Sequence, residues 1–199
     1  MSPSSTTQTQ PGTDAGTDSA AVAAPDVSGT PEPITPEPAL RRLPISLGVL
    51  RITLGLVLTW AFLDKLFGFG LNTPSERSLL SGASATKGYL SSREGWFSGA
   101  FQAVSGTWWI DALFVLGLAG GGIALVFGFA SRLATVAVLG VFGGIYLSQL
   151  PLANNPFIDQ HLFYCITAVA LLATGSDRVL GLGNRWRSLP VVRKQPLLW

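Results

Sequence analysis

Four apolar stretches, each long enough to cross a bilayer, occupy most of the chain beyond Leu40. No charged side chain stands between Ala112 and Ser131, or between Leu133 and Ile158, and a hydrocarbon core needs about 20 predominantly apolar residues per helix. Helices of water-soluble proteins keep one polar face, and these stretches have none. The sequence therefore predicts an all-α integral membrane protein built as a four-helix bundle, with the lipid bilayer as its first partner.

Of 199 residues, 48% are hydrophobic and 12% charged, an average over two unlike parts. Residues 1–40 are mostly Ser, Thr, Pro, Ala and Gly, with five acids (Asp14, Asp18, Asp26, Glu32, Glu37) and no base. Such a segment buries too little apolar surface to offset its ordering entropy, and it is expected to be a disordered tail. It has neither the basic nor the apolar region of a signal peptide. The domain limits are then an acidic tail over 1–40, a membrane domain over 41–184 and a basic cytoplasmic tail over 185–199. The net charge of +2 thus conceals a strongly basic remainder, whose bases flank the spans and point to membrane orientation, not to nucleic acid.

The first span is expected over about 45–66, the second over 109–129 and the third over 133–149, with Ser131 and Arg132 forming a tight turn between the last two. The fourth is expected to start at Asn154 and Asn155 with Pro156 in its first turn, and to stop at Thr174 before Gly175. Eight bases (Arg41, Arg42, Arg132, Arg178, Arg185, Arg187, Arg193, Lys194) lie on the side holding both termini, against Arg77, Lys87 and Arg93 on the other. That asymmetry predicts a multi-pass protein of the plasma membrane with both termini cytoplasmic. The connection over 67–108 interleaves aromatics such as Tyr89, Trp96, Phe97 and Phe101 with Gly and Ser, a composition for short interfacial helices or a re-entrant segment on the extracytoplasmic side. Gly117 with Gly121, and Gly140 with Gly144, have the spacing that lets membrane helices approach closely, which predicts backbone packing of the second span on the third.

One histidine, one cysteine and one methionine exclude a bis-histidine haem, a cysteine-ligated iron–sulfur cluster and a structural zinc. No tightly bound cofactor or metal is expected. Gly120 to Gly122 and Gly181 to Gly183 follow no strand and are not a phosphate cradle. What remains is a set of charges at one depth: Asp64 and Lys65 end the first span, Asp111 opens the second, and Asp159 and His161 begin the fourth. Asp111 and Asp159 suit helix N-termini through the macrodipole alone. Arg51 and Lys65, 14 residues apart, fall within about 40° of one helix face, which favours a shared polar seam over separate snorkelling. His161 is followed by Tyr164 and Cys165 one turn later, and a neutral imidazole both donates and accepts. A ligand contact and an internal pairing with Asp64 or Asp159 remain equal alternatives for it.

Arg51 to Phe67 (RITLGLVLTWAFLDKLF), Ser81 to Leu90 (SGASATKGYL), His161 in the fourth span and the run GSDRVLGLG from Gly175 together resemble the DoxX family, and the connection resembles its DoxD-like branch. The resemblance covers about 43–184. It implies a four-helix membrane protein, and in one branch the small subunit of thiosulfate:quinone oxidoreductase. The function expected on this ground is a membrane subunit of a quinone-linked redox complex, not self-sufficient as an enzyme, with partner subunits in or on the membrane. Quinone is the expected ligand, in a polar pocket formed by Lys65, His161, Asp64, Arg51 and Tyr164. The alternative is a non-catalytic accessory or assembly protein of a respiratory-chain or other membrane complex, whose polar groups only specify helix packing.

Overall fold

The protein is seen here as a computed structural model in which residues 44–195 and 198 are described; the tail expected over 1–40 lies outside the described residues. Helix α1 (Ile45–Phe67) begins after Pro44, whose extended backbone leaves its carbonyl free to accept from Leu47 N–H at 3.0 Å. It ends at Gly68, where φ of +70° lets the amide turn back to the Asp64 carbonyl at 2.8 Å. The connection that follows folds into 3-10 turns at Ser75–Arg77 and Leu79–Ser81 and two short helices, α2 (Lys87–Leu90) and α3 (Ser98–Ala103).

Helix α4 (Trp108–Phe127) runs back, and a turn through Gly128 and Ala130, both left-handed, delivers the chain into α5 (Ser131–Ser148). Helix α6 (Gln160–Thr174) follows, then two short helices, α7 (Gly183–Ser188) and α8 (Pro190–Lys194), where only a basic tail was expected. All regular elements among the described residues are helical. By length and composition α1, α4 and α5 are able to cross a membrane, which marks the chain as a membrane protein.

The fourth span departs from its expected start. Asn155 uses its side chain for a turn, its Oδ1 accepting from Phe157 N–H at 2.9 Å and Ile158 N–H at 3.1 Å. Asparagine readily closes such turns as well as capping helices. The N-cap is Asp159, whose Oδ1 accepts from Leu162 N–H at 2.9 Å. Helix α6 is consequently 15 residues long, about 22 Å, and shorter than a full span.

Helix α1 packs on α4, α4 on α5 and α5 on α6, around a core that includes Leu54, Leu58, Leu118, Val138, Phe142 and Ala168. The closest backbone approach joins α1 to α4. A Cβ on Gly55 would lie 2.7 Å from Val126 N, and one on Gly122 would lie 2.9 Å from Thr59 N. Of the glycines expected to join α4 to α5, Gly117 and Gly121 do so, against Val141 and Ala137. Gly140 and Gly144 do not: no heavy atom lies within 4 Å of where their Cβ would be. The pattern of small residues every fourth position marks a smooth helix face, and here that face borders open space.

Candidate functional site

That open space belongs to a cavity of about 920 Å3. It runs from the end of the helices adjoining residues 68–107, called here the loop end, along most of the length of α5 to Leu133 and Val136 near its start. Its walls are mostly apolar and come from α1, α4, α5 and α6 together with the connection. Leu113, Leu116, Leu133 and Val136 line it and are also exposed on the outer faces of α4 and α5, so the space opens sideways between those helices along Gly140 and Gly144. Small-molecule sites have this size and mixture, about 300–1,000 Å3 with a few polar groups among apolar walls.

Four of the five expected site residues line this cavity: Asp64, Lys65, His161 and Tyr164. Helix α1 supplies the first two from its last turn, and α6 supplies the others from its first two turns. Asp64 is only 1% exposed, and its Oδ1 has no hydrogen-bond partner. Its neighbour Lys65 is half-buried. His161 is held by Asp159, with Nδ1 and Oδ2 2.6 Å apart, while Gln149 Nε2 lies 3.4 Å from the same nitrogen. An ionised carboxylate only accepts, so Nδ1 carries the proton and the shorter contact fixes the tautomer. Phe142 and Tyr164 pack against the ring, with centroids 5.7 and 6.4 Å away. Burial alone would raise the Asp159 carboxyl, but the Leu162 N–H and the His161 ring outweigh it and hold the group below its ordinary range.

Arg51 is not part of this site. It lies about 21 Å along α1 from Lys65 by helical rise, at the end where α1 begins, and its place on the same helix face does not bring the two together. It is 1% exposed. Its Nη1 donates to the carbonyls of Leu125 and Val126, and its Nη2 to those of Val179 and Leu180 at 3.0 Å each. The last carbonyls of α4 have no partner within the helix and carry its negative pole, so the guanidinium serves as their cap. The GSDRVLGLG run closes over it: Asp177 pairs with Arg187 at 2.6 Å, and a Cβ on Gly183 would stand 2.3 Å from Asp177 Oδ2.

Several contributors carry no signal of their own in the sequence. Gln149 is a single amide ending an apolar run, yet it lines the cavity beside His161. Asp111 does more than complement a helix N-terminus, since its Oδ1 accepts from Thr86 N–H at 2.9 Å and Thr86 Oγ1 at 2.6 Å. That bond fixes the connection over the cavity, where Thr86 and Tyr89 line it. Tyr89 is itself braced by Ser148, hydroxyl to hydroxyl at 3.0 Å, and by the Arg93 guanidinium 4.1 Å above its ring. Among the described residues no three His, Cys, Asp or Glu side chains are grouped to hold a metal ion. No family model, curated protein or solved structure matches the chain.

Proposed function

We propose that this chain is a DoxX-like, multi-pass membrane subunit of a quinone-linked redox complex, lodged in the plasma membrane with both termini cytoplasmic, and that its cavity holds the quinone. The observation that carries the reading is the cavity's polarity: a polar end at Asp64, Lys65 and His161, and an apolar body that opens sideways between α4 and α5. A lipid-soluble ring with two polar oxygens and an apolar tail fits that division, and a lateral opening admits it from the bilayer. Lys65 supplies a donor for a ring oxygen, and the His161 ring, whose Nδ1 faces Asp159, donates to the other from Nε2 in its imidazolium form. Electron transfer is left to partner subunits, consistent with a chain that brings few redox ligands of its own.

The test is purification in mild detergent, with mass spectrometry of co-eluting lipophilic molecules and proteins. Lys65→Gln and His161→Gln should each lower quinone content several-fold while the protein stays folded, as expected for removal of a hydrogen bond worth about 0.5–1.5 kcal/mol or more. The accessory-protein reading has its own support, in that His161 already pairs with Asp159 and Arg51 with backbone carbonyls. Lowered thermal stability with unchanged quinone content would favour it and sink the ligand reading.

A further inference from the structure

We propose that the end of the bundle opposite the loop end is a docking platform for anionic phospholipid, formed by residues 178–194, which include α7 and α8. The proposal is independent of the quinone reading and assigns a ligand to a segment from which only a basic tail was expected.

Charge is divided unequally between the two ends. Five of the six acids among the described residues (Asp64, Glu76, Glu94, Asp111, Asp159) lie at the loop end. The sixth, Asp177, is buried at the other end and already pairs with Arg187. Arg178, Arg185, Arg193 and Lys194 are exposed there, and none of them pairs with an acid among the described residues. No acid follows Asp177 in the sequence. Cations of one segment that lack an acidic partner make a field of single sign, which draws anions from outside the chain.

Position makes those anions lipid. Leu182 N–H donates to the Phe127 carbonyl at 2.9 Å, and the Trp186 ring packs on Phe129 with centroids 5.2 Å apart, so the segment is tied to the turn between α4 and α5. Helix α4 has 20 residues, the length that crosses a hydrocarbon core, and that turn therefore stands at the bilayer surface. Among its bases the segment exposes Leu180, Leu182, Leu189 and Val191. Aliphatic and basic side chains interleaved at this depth suit an interfacial segment, the first entering the acyl boundary and the second reaching the phosphates. A nucleic acid or an acidic protein would match the charge and leave the aliphatic groups in water. An anionic leaflet matches both, and the cytoplasmic leaflet, on the side proposed for this end, carries that charge.

The experiment uses the full chain in a neutral detergent with an equimolar mixture of phosphatidylglycerol and phosphatidylcholine of identical acyl chains, and counts the retained lipids by native mass spectrometry. Phosphatidylglycerol should be retained several-fold over phosphatidylcholine. Arg185→Gln, Arg193→Gln and Lys194→Gln should each reduce that preference, by up to about fivefold per base. Arg77→Gln and Lys87→Gln make the same change of charge at the loop end and should leave it as it was. Leu189→Ser combined with Val191→Ser should lower retention of the anionic lipid. Equal retention of the two lipids by the unaltered protein would overturn the proposal, as would a preference that survives loss of all three bases. Retention untouched by the two serines would assign the patch to a soluble polyanion and overturn it as well, and so would displacement of the lipid by an equal concentration of inorganic phosphate. The ratio in the unaltered protein decides the matter even where a variant fails to fold.

Discussion

Glycines of α4 and α5 have opposite roles in this chain, and alanine substitution separates them. At Gly122 a Cβ would lie 2.9 Å from Thr59 N and 3.2 Å from Gly55 O, whereas ordinary contact begins at 3.4 Å. The Thr59 hydroxyl is nearer still at 2.6 Å, but these two obstructions are backbone atoms, so α1 and α4 must part by about 0.5 Å or more. Overpacking of this kind costs about 1–3 kcal/mol, offset by up to about 1 kcal/mol of helix propensity gained over glycine. Gly122→Ala should be net destabilising by about 1–2 kcal/mol. At Gly144 the added methyl meets nothing within 4 Å, so Gly144→Ala should be neutral or slightly stabilising. Thermal denaturation of the two variants in one detergent, followed by tryptophan fluorescence, gives the comparison. The larger Gly144→Leu then reports on the cavity itself: stability should be kept while quinone binding falls. Equal destabilisation by Gly122→Ala and Gly144→Ala would show that Gly144 sits in a packed interface, and the account of the lateral opening would fail with it.

Arg51→Lys should lower stability by about 1.5–3 kcal/mol, since one ammonium has three donors in place of a planar fork spread over four carbonyls; a loss below about 0.5 kcal/mol in detergent melts would contradict that role. Asp159, held below its ordinary 3.8, contributes stability that is present above the unfolded pKa near 4 and is lost as pH falls through the lower folded value. Melting curves between pH 6 and pH 3 should show that loss, and Asp159→Asn, which still caps a helix, should flatten its share of the slope. Single cysteines at Ser84 and Ser188, in a Cys165→Ala background, test orientation: an impermeant maleimide should label the first in intact cells and not the second, and the reverse pattern would invert the proposed topology.

Helices α1, α4 and α5 were legible to within about two residues at their ends because uncharged length is a signal that tertiary context rarely overrides. The start of α6 was not. Asparagine at 155 is equally at home in a turn, and only its two amide partners decide between them. Charge placement along α1 gave Asp64 and Lys65 to the loop end correctly, since depth follows from position in the helix. Arg51 was misassigned for a reason in the same geometry: a shared face says nothing about separation along the axis. Its partners are backbone carbonyls, which have no sequence identity to read. The Gly140 and Gly144 spacing was ambiguous by nature, as a smooth face suits both a neighbouring helix and a vacant groove.

The arginine clasp also sets an order of events in synthesis. Arg51 precedes the Val179 and Leu180 carbonyls by 128 and 129 residues, and the α4 carbonyls by 74 and 75. When α1 enters the bilayer its guanidinium has none of these acceptors, and a cation within a span carries a penalty, smaller near the helix end than the roughly 2.5–3.5 kcal/mol at its centre. Emergence of α4 supplies half of the clasp, and only translation past Leu180 completes it. A nascent chain halted after α5 would therefore carry a half-satisfied cation in its first helix, before the loop-end cavity has all of its walls.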